Sequence, residues 1–199
     1  MRVIGLTGSI ACGKSNVSDT LKKLGAVIVD GDLLSRELTA PGGAALPALR
    51  ETFGSGVFAA DGTLDRKALA AVVFGSNAER ERLDALMQPM IRQLILQRMD
   101  AARAAGAQVC VLDMPLLYEK QLDSLCDRVW CVWLPRRQQL QRLMLRDRCT
   151  REEAEARIAS QLSADEKAAR ADVVINTSGP ISKTRAAIPA LYRAELEAL

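Results

Sequence analysis

The chain has 199 residues, 49% of them hydrophobic and 26% charged, the make-up of one compact domain or a domain with an insertion. Its 27 Lys and Arg against 24 Asp and Glu leave a charge of +3, too small an excess to call for a nucleic acid or a membrane as partner. Not one histidine is present, which removes His-based triads, His-liganded zinc and an imidazole general base.

Residues 3–6 form a short apolar run that predicts a first strand. Gly8-Ser9-Ile10-Ala11-Cys12-Gly13-Lys14-Ser15 follows at once and fits GxxxxGK[ST], the phosphate-loop pattern, between a strand and a helix. The spacing has a physical reason. Loop amides and the positive helix end converge on phosphate oxygens, Lys14 reaches the outer phosphates, and the Ser15 hydroxyl coordinates Mg2+. Gly8, Ala11, Cys12, Gly13, Lys14, Ser15 and Asn16 are therefore the candidate contacts to ATP. Cys12 precedes a helix N-terminus, a setting that lowers a thiol pKa, although the reading the sequence favours is a small residue filling space. In the helix over 14–24, Val17, Leu21 and Leu24 share a face and Gly25 supplies the stop.

A second strand over 26–29 leads to Asp30 and Asp32. Two apart in extended chain, both acids would point into the crevice at the strand's carboxyl end, where one can accept a hydroxyl proton. The competing reading is that one of them caps a helix over 33–38. Residues 32–107 are too long for one crossover, and Pro41, Gly42, Gly43, Gly54, Gly56 and Gly62 divide them into short helical pieces, a helical insertion. Strand 109–112 ends at Asp113, placed like the acid that holds magnesium in phosphate-loop proteins, or else a turn residue ahead of Pro115. Leu116 and Leu117, which follow it, have the character of core residues.

After a fourth strand over 129–134, residues 136–151 carry six arginines against Asp147 alone. Arg142 and Arg146 stand one turn apart, opposite Leu140 and Met144, as a lid over a triphosphate would require. Thr150 with Glu153 fits a capping box for a helix whose Ala154, Ile158 and Leu162 share a face. A fifth strand over 173–175 and a closing helix over 182–199 complete the chain, with Asn176 a candidate neighbour of the adenine. The fold class expected is α/β, a three-layer phosphate-loop NTPase-type fold on a five-stranded parallel sheet. Its core would comprise residues 1–31, 108–134 and 171–199, with an acceptor-binding insertion over 32–107 and a lid over 135–170.

Taken in order, GLTGSIACGKS, DGDLLSRE, DMPLLYE, RLMLRD, EEAEARIASQ and ADVVINTSG resemble the dephospho-coenzyme A kinase family along essentially the whole chain. The resemblance implies ATP-dependent phosphorylation of the 3′-hydroxyl of dephospho-coenzyme A, with ATP and Mg2+ as cofactors. It makes Asp32 the general base and Lys14 and Arg142 the catalytic grip on the phosphates, helped by Arg146. It places Thr7, Asp30, Arg36, Leu116, Tyr118 and Glu119 on the acceptor side. The family pattern is departed from in two places: Ser9, Ala11 and Cys12 fill loop positions where glycine or another small residue is common, and Gln88 precedes Pro89 where many members have His.

The residues alone also admit another nucleoside or nucleotide kinase. A nucleotide-dependent switch is disfavoured, since neither DxxG nor NKxD occurs in the chain. Five cysteines, an odd number without CxxC spacing, and no apolar stretch near ~20 residues point to a reducing cytoplasm and no membrane. With 4% aromatic residues, a base-stacking surface for single-stranded nucleic acid is not expected either.

Overall fold

A computed structural model of the chain describes residues 1–198. Five strands, β1 (Arg2–Gly8), β2 (Val27–Asp30), β3 (Val109–Asp113), β4 (Arg128–Trp133) and β5 (Val173–Asn176), form one sheet in the order β2-β3-β1-β4-β5. β1 lies at its centre, with Ile4 opposite Val111 of β3 on one side and Arg128 of β4 on the other, both pairings parallel. The fold is the phosphate-loop NTPase type expected, a parallel sheet with helices. Central strands are apolar because both faces are covered; every residue of β3 is buried. Burial on both faces does not extend to the edges, where Val27 of β2 is 37% and Val174 of β5 48% exposed.

Nine helices connect the described strands: α1 (Lys14–Lys23), α2 (Gly31–Leu38), α3 (Leu46–Phe53), α4 (Arg66–Phe74), α5 (Asn77–Ala104), α6 (Arg136–Asp147), α7 (Arg151–Ala159), α8 (Ala164–Arg170) and α9 (Ile181–Glu197). The stop after α1 is a Schellman motif: Gly25 N–H bonds Lys22 O and Ala26 N–H bonds Leu21 O, both at 3.1 Å, with Gly25 at φ +100°. Val17 and Leu21 of α1 and Ile188 and Tyr192 of α9 join Ile4, Leu6, Val111, Trp130 and Val132 in the main core. A smaller cluster of Leu140, Leu143, Ala154 and Ile158 holds α6 against α7, and Ile10 and Ala11 pack against it. The capping box of Thr150 and Glu153 opens α7, but Leu162 lies beyond that helix, and a second box, Ser163 with Glu166, opens α8. Leu199, the last residue of the expected closing helix, lies outside the described residues.

The chain divides into two compact units, Met1–Val29 with Met99–Leu199, and Asp30–Arg98. Within the second, Arg98 Nη2 bonds both oxygens of Glu37 at 2.7 and 2.8 Å, and Arg66 Nη2 reaches Thr39 Oγ1 at 2.6 Å. Its first helices are short, as the glycine punctuation predicts. α5 is not: it runs for 28 residues with Pro89 inside. No glycine falls within 77–104, so the missing N–H of one proline is the only interruption, and good helix formers on either side carry the helix through it. Among the described residues no helix is long and apolar enough to cross a membrane.

Candidate active site

The loop between β1 and α1 owes its path to two glycines. A Cβ on Gly8 would lie 2.6 Å from both Val132 O and Cys12 Sγ, and Gly13, at φ +88°, is the N-cap of α1 with no side-chain cap bond. Asn16 N–H bonds Gly13 O at 3.1 Å, and without a side-chain cap the start of α1 can accept an external anion, the arrangement that binds phosphate. Ala11 also sits left-handed, at φ +62°, where glycine would be unstrained. Gly8→Ala should cost about 2 kcal/mol or more, because backbone and a packed thiol cannot both yield; chemical unfolding would measure it as a lowered midpoint.

Lys14 Nζ is paired with Asp113 Oδ1, their side chains 16% and 4% exposed, so the loop lysine and the strand-end acid meet. Arg142 Nη2 bonds Thr177 O at 2.7 Å, and Nη1 lies 3.9 Å from where a Gly13 Cβ would stand. Gly13, Asn16, Arg142, Thr177, Gly179 and Thr184 together line a cleft beside the loop. Arg146, by contrast, is exposed and engaged with Asp147, at 2.7 and 3.1 Å, where Arg157 adds a third bond at 2.9 Å. Hydrogen bonds from Arg146, with the charges of both arginines, hold the Asp147 carboxyl below its ordinary range. Ser15 is exposed on the first turn of α1, and Asn16 Oδ1 accepts from Arg185 Nη2 at 3.0 Å. Asn176 lines a different groove, with Pro180, Lys183 and Leu191, and its Oδ1 accepts from Ser178 N at 2.9 Å.

Three expectations change. Cys12 is 2% exposed within the main core, and burial pushes its thiol up in spite of Lys14 nearby, which disfavours the thiolate and leaves its backbone for any contact with ATP. Thr7 is fully buried, its hydroxyl donating to Pro115 O at 3.1 Å, which leaves that side chain no surface to offer an acceptor. The extended-chain argument for Asp30 and Asp32 does not hold, because Asp32 lies in the first turn of α2. Asp30 is that helix's N-cap, its Oδ1 accepting from Asp32 N at 2.8 Å and Leu33 N at 3.1 Å. Asp32 and Arg36 remain exposed one turn apart on α2.

Beyond β3, Leu116 is half-buried, and Tyr118 is 6% exposed with the Arg170 guanidinium 3.9 Å over its ring. Burial pushes the Tyr118 phenol up to about 12, and its hydroxyl is buried without a partner. Glu119 Oε1 accepts from Leu162 N at 2.9 Å and sits 2.8 Å from Lys167 Nζ. Sequence reasoning missed Thr177, whose hydroxyl donates to Cys12 O at 2.7 Å, as well as Gln139, Gln161, Lys167 and Arg185. Thr177 had a signal, since it sits inside the ADVVINTSG segment.

A family model described as dephospho-CoA kinase matches residues 2–183. The chain belongs to the dephospho-CoA kinase family. A dephospho-CoA kinase from Symbiobacterium thermophilum is 45% identical over 98% of this chain and 81% of that protein. Among solved structures, the dephospho-CoA kinase from Campylobacter jejuni superimposes with a TM-score of 0.77 over 100% and 99% of the two chains, at 24% identity. A shikimate kinase from Acinetobacter baumannii shares the fold more distantly, with a TM-score of 0.56 and 15% identity over 100% of this chain and 94% of its own. The protein is accordingly a transferase that phosphorylates dephospho-CoA to coenzyme A with ATP. Use of ATP follows from the family.

Proposed function

We propose that the terminal phosphate of ATP passes in line to the ribose 3′-hydroxyl of dephospho-CoA, with Asp32 accepting the hydroxyl proton. The observation that carries this reading is the convergence of an uncapped helix start, Lys14 and Arg142 on the loop Gly8–Ser15. Loop amides and Lys14 hold the β- and γ-phosphates, and Arg142 balances charge that builds on the transferring group. Arg146 joins them by leaving Asp147 as the lid, residues 135–170, closes. Asn16 and, after the fifth strand, Asn176 flank the nucleoside. Arg36, Leu116, Tyr118 and Glu119 bound the acceptor, and Asp30 serves it indirectly by capping the helix that carries Asp32.

Ser15 and Asp113 fit Mg2+. They offer one hydroxyl and one carboxylate, and among the described residues no group of three His, Cys, Asp or Glu is assembled for a metal, as suits a cation that takes most of its ligands from phosphate and water. When bound, the ion would be held by Ser15 and Asp113 and would offset the negative charge of the phosphates. The enzyme works on small molecules in the cytoplasm, without a nucleic-acid or membrane partner, a reading supported by its +3 charge and five free thiols.

An acceptor screen tests the proposal. ADP release with dephospho-CoA should exceed that with nucleosides or nucleoside monophosphates by about 10⁴-fold in kcat/KM, the discrimination that a site built to hydrogen-bond its substrate achieves. Phosphorus NMR of the product should show a new 3′-phosphomonoester, and chelation of divalent cations should stop the reaction. Equal turnover of a nucleoside, or a phosphate at another position, would sink the acceptor assignment.

A further inference from the structure

Lys167 of α8 is the one lysine among the described residues that is fully buried, 0% exposed. Its ammonium donates to Pro115 O at 2.5 Å and sits 2.8 Å from Glu119 Oε1. Both partners lead to the phosphate loop. Pro115 O also accepts from Thr7 Oγ1 at 3.1 Å, immediately before Gly8, and Pro115 stands two residues after Asp113, the partner of Lys14. Glu119 Oε1 accepts from Leu162 N at 2.9 Å; Leu162 O in turn accepts from Ser9 Oγ at 3.2 Å, and the neighbouring Gln161 Oε1 accepts from Ile10 N at 3.2 Å. The far side of Ile10 is held by Gln139 Nε2, which donates to its carbonyl at 3.0 Å.

We propose that Lys167 is a positioning residue for nucleotide binding, fastening the segment after β3 and the 161–162 turn so that the phosphate loop is held at Thr7, Ser9 and Ile10 in its phosphate-ready path. A buried ammonium is an expensive way to fill space, and an apolar residue of like volume usually serves stability as well or better. What it adds here is direction. One point charge fixes a carbonyl and a carboxylate, each of which passes a hydrogen bond on to a different part of the same loop. Ala11, left-handed at φ +62°, lies in the loop so braced. Lys167 touches no reacting atom, so its effect should appear in nucleotide affinity rather than in the chemistry itself.

The inference rests on the reading that this loop grips ATP, and the test separates the two. Affinity for a non-hydrolysable ATP analogue with Mg2+ is measured by calorimetry, together with the unfolding midpoint, for the wild type, Lys167→Met, and Lys167→Met with Glu119→Gln. The single variant should bind about tenfold more weakly and unfold earlier, since it leaves Glu119 charged beside an apolar chain. The double variant, with no net change in charge, should recover stability yet still bind about tenfold more weakly. Affinity in the double variant within about twofold of the wild type would overturn the proposal, leaving the pair merely structural. Should neither Lys167 variant fold, Gln161→Ala, at a half-buried position, decides: a severalfold loss of affinity with an unchanged midpoint supports the linkage, and full affinity overturns it. A wild type that does not bind the analogue would overturn the reading of the loop itself, and the proposal with it.

Discussion

Asp32→Asn should lower kcat for transfer to dephospho-CoA by about 10² to 10⁴-fold, the range for loss of a general base, while affinity for ATP stays within about twofold. The substitution is clean for structural reasons. Asp32 is exposed and Asp30, not Asp32, caps α2, so an amide there removes a charge and a proton acceptor but leaves the helix start intact. The cost to stability is the favourable interaction of one first-turn acid with the helix dipole, about 0.5 kcal/mol. Arg36 stands one turn further along the same exposed face. Single-turnover measurement of phosphate transfer, with equilibrium binding of ATP alongside, separates chemistry from affinity. Turnover at the wild-type rate would remove Asp32 from the role of base, and a parallel loss of ATP affinity would move it to the nucleotide side.

What the sequence discloses follows from the range over which each interaction acts. The loop Gly8–Ser15 is legible because its determinants are contiguous: two glycines for two backbone needs, a lysine and a hydroxyl at the head of one helix. The strands are legible for a like reason, as short apolar runs that only a buried parallel sheet can use. Asp30 and Asp32 show the limit of local reasoning. The helix starts two residues earlier than the pattern 33–38 suggests, and that shift turns one acid into a cap and sets the other on a helical face. Cys12 marks a different limit. Its place beside a helix N-terminus argues for a thiolate, while the packing that buries it against the sheet argues the other way and wins by desolvation. Least visible are the groups that brace the loop from afar. Thr177 reaches Cys12 across 165 residues, Gln161 reaches Ile10 across 151, and Arg185 reaches Asn16 across 169, and nothing in the spacing of either partner announces the other.

Family membership removes the nucleotide-dependent switch that a bare phosphate loop would still allow. Lys14→Met should reduce kcat/KM by about 10³-fold, as expected when a preorganised positive charge is withdrawn from a transferring phosphoryl group. The same change takes the ammonium away from Asp113, whose side chain is 4% exposed, and breaking a buried ion pair from one side costs about 3 kcal/mol. A loss of activity alone would therefore be ambiguous, and Lys14→Arg resolves it. A guanidinium can keep the charge beside Asp113, but its flat, longer fork cannot reproduce a point charge within a loop that wraps closely around phosphate. Most of the stability should return with arginine while most of the activity should not. The decisive readout is the rise in unfolding temperature on adding saturating ATP and Mg2+: about 2.7 kcal/mol of stabilisation at a hundred times Kd in the wild type, and little in either variant at the same concentration. If Lys14→Arg were stabilised by ATP as strongly as the wild type and transferred phosphate at a similar rate, Lys14 would be holding Asp113 in place rather than gripping the nucleotide, and the electrostatic burden of the reaction would rest on Arg142.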